Sequence, residues 1–227
     1  ELPTYFDSIP AKRIFGPVGW VLDRAVPRLA EHAQAIRPHT VAQLESLGCK
    51  AVSHVAPGVD PTDFDGIAPA VLPPGPWVVY AGNPDHYQDL DVLVSAMQHI
   101  PDAGLLLVGA SPFDGLDLRS LPRVKVVQTS RWSEVASLIA ASTVAALPRS
   151  VCSGYPIKLL NYLGLGIPTV AAAGSAIALP GVVKVPNRDP EAMAVALGEL
   201  VGDALMRREL GAAAAAHVRS ACTWDAR

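Results

Sequence analysis

From residue 77 onwards, short runs of consecutive apolar residues alternate with segments in which apolar residues recur every three or four positions. The runs are typical of strands buried on both faces, and the spaced segments of amphipathic helices. The pattern predicts an α/β fold, a parallel sheet with helices on both faces. The predicted strands are residues 77–82, 104–109, 124–127, 143–148, 168–172 and 182–185, and the predicted helices are 89–100, 132–141, one beginning at Pro156, 189–200 and 204–220.

Residues 1–76 lack this alternation. An amphipathic helix is predicted over 18–33, although Pro27 is expected to kink or restart it. A second helix is predicted over 39–47, with Gly48 as its cap. Because residues 68–76 are rich in proline and glycine, we interpret them as a linker. The sequence therefore predicts two domains, one over 1–71 and a Rossmann-like one over 72–227.

In a parallel α/β sheet, ligands bind beyond the carboxyl ends of the strands. In this chain those ends are residues 82–83, 109–111, 129–131 and 149–150. The helix beginning at Pro156 should point its amino end at the same edge, with Pro156 at its first position. Free backbone N–H groups and a positive dipole end make that helix start a suitable phosphate site. Gly166 is predicted to end the helix and to lead into the next strand.

Residues 153–170, SGYPIKLLNYLGLGIPTV, resemble the donor-site segment of retaining GT-B glycosyltransferases, the glycosyl transferases group 1, family 4-like. In that family the segment runs roughly E-G-F-P-x-K-x-x-E-Y-x-A-x-G-x-P-V-V. Residues 57–64 are similar to the P-x-G-V-D-x-x-x-F segment on the family's interdomain crossover, and residues 222–225 to the start of its final helix. The resemblance implies a GT-B C-terminal, donor-nucleotide-binding domain over 72–227, preceded by a partial N-terminal, acceptor-side domain. We therefore expect the chain to be part of a longer protein.

The resemblance implies an enzyme that transfers a sugar from a nucleotide-diphosphate donor, such as a UDP- or GDP-sugar, to a glycan or glycolipid acceptor in bacterial polysaccharide biosynthesis. Two departures from the family pattern put activity in doubt. Ser153 and Asn161 replace the glutamates of the Glu-x(7)-Glu motif, and Asn83 and Gln88 replace an arginine and a lysine that bind diphosphate. A catalytically degenerate homologue that binds a nucleotide or a partner, and a sugar-nucleotide epimerase-like enzyme, therefore stay as alternatives.

The catalytic residues are left open, with Lys158 and Ser153 as candidates. Lys158 could compensate for the missing cations, or it could be an ordinary solvated helix residue. Asn161 could contact ribose or face the core. Trp132 could stack on a nucleobase or anchor its helix. The full set of donor-binding candidates is Gly82, Asn83, Gln88, Gly109, Arg131, Ser153, Gly154, Tyr155, Pro156, Lys158 and Asn161.

Charge and composition limit the kinds of partner that we expect this protein to bind. The net charge of −3 and the lack of basic runs argue against nucleic acid. The three cysteines show no metal-binding spacing, so we expect no metal site. The resemblance implies no cofactor, since the nucleotide sugar is the substrate. No apolar run approaches the ~20 residues of a membrane span, which favours a cytoplasmic protein. Peripheral contact with the inner membrane through helix 18–33 and its neighbouring arginines is the alternative to a plainly packed helix. The oligomeric state is left open.

Overall fold

The computed structural model describes residues 12–152 and 154–226, with side chains from residue 16 on. The described chain divides into two compact units. The first comprises residues up to Pro57 together with Gly154 and Tyr155. The second comprises Gly58–Cys152 and Pro156–Ala226.

The second unit is built on a six-stranded parallel sheet, which confirms the predicted fold class. The strand order is β5-β4-β3-β6-β7-β8. The chain thus fills one half of the sheet outwards from β3 and then the other half outwards from β6. The adjacent carboxyl ends of β3 and β6 form the topological switch point, where α/β sheets of this type bind ligands. The strands are β3 (Trp77–Ala81), β4 (Gly104–Gly109), β5 (Val124–Gln128), β6 (Val144–Leu147), β7 (Thr169–Ala172) and β8 (Val182–Val185).

Helices cover both faces of this sheet, which is why its central strands can be apolar at every position. On one face, Leu93, Met97 and Leu197 pack against the alternate residues Val78 and Tyr80 of β3. On the other face, a second buried cluster packs around the remaining β3 residues. The helices of this unit are α3 (Leu90–Met97), α4 (Trp132–Ala140), α5 (Ile157–Gly164), α6 (Pro190–Gly202) and α7 (Ala204–Ala221).

Local signals in the sequence fix several helix ends. The Asp189 side chain accepts a hydrogen bond from the N–H of Ala192 at 2.9 Å, which caps α6. Gly166 adopts the left-handed conformation, with φ of +74°, between α5 and β7. Pro156 was predicted to be the first helical residue. Helix α5 instead begins at Ile157, and Pro156 is its N-cap, with φ of −79° and ψ of 77°.

The first unit contains α1 (Lys12–Leu29), β1 (Ala33–Ala35), α2 (Pro38–Ser46) and β2 (Val52–His54). Strands β1 and β2 pair in parallel, with Ala33 opposite Val52. Neither strand was predicted, because three residues are too few to show a periodic pattern. The prediction for α1 was wrong at both ends. The helix starts before residue 18 and ends at Leu29, since the chain must then turn into β1. Neither Pro17 nor Pro27 breaks it.

Helix α1 exposes apolar side chains along much of its length. Trp20 is 55% exposed and Leu29 is 80% exposed. The Arg24 guanidinium lies over the Trp20 ring, 3.9 Å from its centroid. Within the described residues, no helix combines the length and the apolar character that crossing a bilayer would demand. Contact of α1 with a membrane surface stays a prediction.

The second unit begins at Gly58, upstream of the predicted linker. Three contacts hold this crossover segment, residues 58–72, to the sheet and its helices. The Phe64 ring packs on Gly164. The indole Nε1 of Trp132 donates to the Asp63 carbonyl at 3.0 Å. Farther along, the N–H of Ala70 donates to the carbonyl of Ser137 at 2.9 Å. The predicted division into domains at 71/72 stays a prediction. The second compact unit begins earlier, at Gly58, and includes the crossover segment.

Candidate functional site

A cavity of about 190 Å³ opens in the second unit beyond the carboxyl ends of β3, β4 and β5, between α4 and α5. It lies at the carboxyl ends of parallel strands, where the sequence led us to expect a ligand site. Its walls are largely apolar, with an indole, three hydroxyls, an amide and an ammonium among them. The lining residues are Ala81, Gly82, Val108, Gly109, Ala110, Thr129, Ser130, Trp132, Val135, Ile139, Lys158, Asn161 and Tyr162.

Two glycines at the strand ends form the floor of the cavity. The N–H of Gly82 donates to the Val108 carbonyl at 2.7 Å, which draws the ends of β3 and β4 together. A side chain at position 109 would place its Cβ 2.6 Å from the Gly82 carbonyl oxygen. Gly82 has φ of +151°, and a Cβ there would collide with the Lys158 ammonium. A side chain at position 109 would therefore meet backbone, and one at position 82 would displace the end of the Lys158 side chain.

Lys158 is the one charged residue among the described residues that line the cavity. Its side chain leaves the first turn of α5, crosses the end of β3 at Gly82, and places Nζ 2.8 Å from the Tyr80 hydroxyl. Burial, together with the nearby positive charge of Arg149, lowers the pKa of Lys158 to about 8. The group is still mostly protonated at neutral pH. An ammonium with few protein partners beside a helix amino end is suited to hold an anion.

Tyr162, on the same helix as Lys158, fixes the end of β3. Its hydroxyl accepts from the N–H of Ala81 at 2.8 Å and lies 3.2 Å from the carbonyl oxygen of the same residue. Burial raises the pKa of Tyr162, so the hydroxyl stays protonated. The strand end that carries Gly82 is thereby held in one position.

Asn161 follows Lys158 by three positions on α5 and faces the cavity rather than the core. Its side chain is half-buried and forms no hydrogen bond with any described residue. An amide can both donate and accept hydrogen bonds, so this group is available to a polar ligand.

Trp132 forms the rim of the cavity at the start of α4. Besides its bond to the Asp63 carbonyl, its ring meets the Phe64 ring edge to face, with centroids 6.4 Å apart. The indole is therefore an anchor of its helix, as one of the two interpretations held. It also lines the cavity, and its stacking on a nucleobase stays a prediction.

A family model described as glycosyl transferases group 1 matches residues 75–203. This span is more than half of the chain and includes every residue that lines the cavity. The chain belongs to the glycosyl transferases group 1 family.

One curated relative in this family is a GDP-mannose-dependent monoacylated alpha-(1-6)-phosphatidylinositol monomannoside mannosyltransferase from Corynebacterium glutamicum. It is 28% identical over an alignment of 155 positions, and the match covers 60% of this chain and 40% of the relative. The chain thus spans less than half the length of that relative.

Two solved structures share the fold. A sucrose-phosphate synthase from Thermosynechococcus elongatus matches with a TM-score of 0.82 and 22% identity, over 97% of this chain and 61% of the other. HepE from Anabaena, in complex with UDP and glucose, matches with a TM-score of 0.74 and 14% identity, over 91% and 63%. The group 1 chain therefore has the GT-B architecture predicted for it and covers under two thirds of these structures.

The structure brings four of the predicted donor-binding residues together in the cavity: Gly82, Gly109, Lys158 and Asn161. Of the others, Asn83 is exposed and Gln88 is buried at the start of α3, where its Oε1 has no hydrogen-bond partner in the described part of the chain. The Arg131 side chain is 80% exposed and pairs with Glu134 at 3.4 Å, outside the cavity. Pro156 caps α5, Gly154 and Tyr155 belong to the first unit, and Ser153 lies outside the described residues. Their roles in donor binding stay predictions.

Tyr80 and Tyr162 were not among the predicted site residues, although one feature of the sequence could have indicated them. A tyrosine within or beside an apolar, fully buried segment must find a partner for its hydroxyl, and strand ends supply free backbone groups. As for metals, the described residues contain no group of three or more His, Cys, Asp or Glu side chains arranged to hold an ion.

Proposed function

We propose that this chain contains the donor-nucleotide half of a retaining glycosyltransferase. The enzyme would transfer a sugar from a nucleoside diphosphate to a glycan or glycolipid acceptor. The observation that carries the proposal is the cavity at the carboxyl ends of β3, β4 and β5, with Lys158 and Asn161 one helical turn apart on its wall. Membership of the glycosyl transferases group 1 family supports the same activity.

In this proposal, Lys158 and the amino end of α5 bind the diphosphate. The reaction breaks the bond between the anomeric carbon and the diphosphate oxygen, and the acceptor oxygen forms the new bond and loses its proton. Negative charge therefore grows on the departing diphosphate. A fixed ammonium in a partly desolvated site stabilises that charge more than it stabilises the ground state.

The rest of the cavity suits a nucleoside. The Asn161 amide is placed to meet a ribose hydroxyl. Trp132, Val135 and Ile139 offer an apolar wall of the kind that a base would cover. The relatives supply the donors to test first: the Corynebacterium enzyme is described as GDP-mannose-dependent, and HepE was solved with UDP. A UDP- or GDP-sugar is accordingly part of the proposal, and so is a cytoplasmic location.

Calorimetric titration with UDP, GDP and their sugar conjugates tests this function. We expect binding with a preference for one base, and a large loss of affinity in Lys158→Ala. A folded protein that binds no nucleotide in the panel would contradict the proposal.

A second candidate is a group 1 homologue that binds nucleotide without transferring sugar. It is favoured by the chemistry of the cavity wall, because the described lining residues include no carboxylate and a single cation. Binding of a nucleotide sugar by the full-length protein, without release of nucleoside diphosphate across a panel of acceptors, would favour this candidate.

A further inference from the structure

The Lys158 ammonium is held in place by a residue outside the cavity wall. Lys158 starts on α5, on the face of the sheet that carries the odd-numbered β3 residues. Its Nζ passes over Gly82 and reaches the hydroxyl of Tyr80, which belongs to the opposite face. The ammonium also lies over the Tyr80 ring, 4.7 Å from its centroid. Without a neighbour such as Tyr80, a lysine side chain with four rotatable bonds would not keep one position.

The orientation of the Tyr80 hydroxyl is fixed as well. It donates to the Asn83 carbonyl at 2.9 Å, so its lone pairs are free to accept from Lys158. The Tyr80 side chain is fully buried, and its ring packs edge to face on Phe113 with centroids 6.4 Å apart. Burial raises the pKa of Tyr80 far above neutrality, so the hydroxyl remains a donor to Asn83.

Other charged groups around Lys158 would not hold it there. Arg149, in the loop after β6, repels the ammonium, whereas Asp85, in the loop after β3, and Cys152 favour its charged form. Asp85 already accepts the Tyr87 hydroxyl at 2.8 Å and is exposed. Arg149 donates to the Val151 carbonyl at 2.6 Å and lies over the Tyr87 ring. The hydrogen bond from Lys158 to Tyr80 is therefore the contact that opposes the repulsion from Arg149.

We propose that Tyr80 is the positioning residue of the diphosphate site: its hydroxyl holds the Lys158 ammonium over Gly82, where the phosphates of a nucleoside diphosphate bind. This inference rests on the proposed donor-binding function. Tyr80 itself touches no ligand. It acts through Lys158, and the loop after Gly82 is linked to the same hydroxyl through Asn83.

The test is Tyr80→Phe, which keeps the ring and removes the hydroxyl. Calorimetry with UDP and GDP should show about tenfold weaker binding of the preferred diphosphate, the usual effect of losing a hydrogen bond to a charged group. Binding of the matching nucleoside, which carries no phosphate, should be unchanged. As the pH is raised, Lys158 loses its proton and diphosphate affinity falls. This fall should begin at a lower pH in the variant than in the wild type, because Lys158 has lost an acceptor that favours its charged form.

A double-mutant cycle separates positioning from general damage. In a Lys158→Met background, Tyr80→Phe should have no further effect on diphosphate affinity. Ser142→Ala is the matched control: it removes a buried hydroxyl that donates to the Leu138 carbonyl at 2.8 Å, before the amino end of β6 and away from the cavity. That variant should bind like the wild type. Equal diphosphate affinity in Tyr80→Phe and wild type, or additive effects in the cycle, overturns the inference alone. A wild type that binds no nucleotide overturns the proposed function with it.

Discussion

The partly buried ammonium of Lys158 favours the binding of an anion but lowers the stability of the folded protein. Burial and the charge of Arg149 lower its pKa from the ordinary value of 10.5 to about 8 in the folded protein. The unfolded chain keeps that proton up to its ordinary pKa, so the unfolded state binds more protons between about pH 8 and 10.5. The free energy of unfolding therefore rises with pH across this window.

We predict that Lys158→Met stabilises the protein at pH 7 by about 1–2 kcal/mol, a value reduced from the full shift because solvent reaches part of the side chain. The advantage should shrink as the pH approaches 10.5, since the folded-state lysine is then neutral and the unfolded-state lysine is losing its proton. Urea unfolding at pH 7 and pH 10 measures both effects. Lys184→Met, at an exposed site on β8, is the control and should show no such pH dependence. If the free energy of unfolding of Lys158→Met differed from that of the wild type by the same amount at both pH values, the lowered pKa of Lys158 would be contradicted.

Gly82 is the second residue on which the site depends. We predict that Gly82→Ala lowers affinity for nucleoside diphosphates at least tenfold, because its Cβ would displace the Lys158 ammonium. Gly66 provides a matched control: its φ is +66°, yet a Cβ there meets no atom within 4 Å. Gly66→Ala should therefore cost about 1 kcal/mol of backbone strain and leave affinity intact. Calorimetry and thermal unfolding of both variants make the comparison. Similar affinities would show that Lys158 can move at no cost.

At the scale of single elements, the end of α5 fits closely against the crossover segment. A Cβ at Gly164 would lie 2.5 Å from Cζ of the buried Phe64 ring. Gly198, in the middle of α6, has open space around its Cα. Replacing glycine by alanine should therefore change the stability of the protein in opposite directions at Gly164 of α5 and Gly198 of α6.

We predict that Gly164→Ala destabilises the protein by about 1–3 kcal/mol through overpacking. Gly198→Ala should stabilise it by up to about 1 kcal/mol, because alanine favours the helix more than glycine does. Thermal unfolding of both variants is the measurement. A stabilised Gly164→Ala would show that Phe64 does not pack rigidly on α5.

The elements of the second unit were predictable because pattern and local signals agree there. Strand β4 is a continuous apolar run, and α6 begins with Asp189 followed by Pro190, a cap and a proline in its preferred position. Strands β1 and β2 were missed because three residues carry no readable period. The pairing of Tyr80 with Lys158 could not be predicted either. It depends on a side chain crossing the sheet at a glycine, and no spacing along the chain encodes that contact.

At the scale of the whole molecule, the crossover segment belongs with the sheet for several independent reasons. The N–H of Val59 donates to the Cys222 carbonyl at 2.9 Å, and Val59 forms a parallel bridge with Thr223. Asp65 pairs with Arg219 of α7 at 2.7 Å. Phe64 is 5% exposed. The sequence predicted a domain division at 71/72, after this segment, whereas the compact unit begins at Gly58. Fragments that begin at residue 58 or at residue 72 should therefore differ in stability.

We predict that residues 58–227 fold cooperatively on their own and bind nucleotide, because the sheet, both helix layers and the cavity wall lie within them. Residues 72–227 should be less stable by about 3 kcal/mol or more, since they lose the buried Phe64 and leave the Trp132 indole without its acceptor. At this size, that difference lowers the melting temperature by roughly 10 °C. Thermal unfolding and UDP or GDP titration of the two fragments measure it. Equal melting temperatures would place the boundary at 71/72 and show that the crossover merely lies against the sheet without stabilising it.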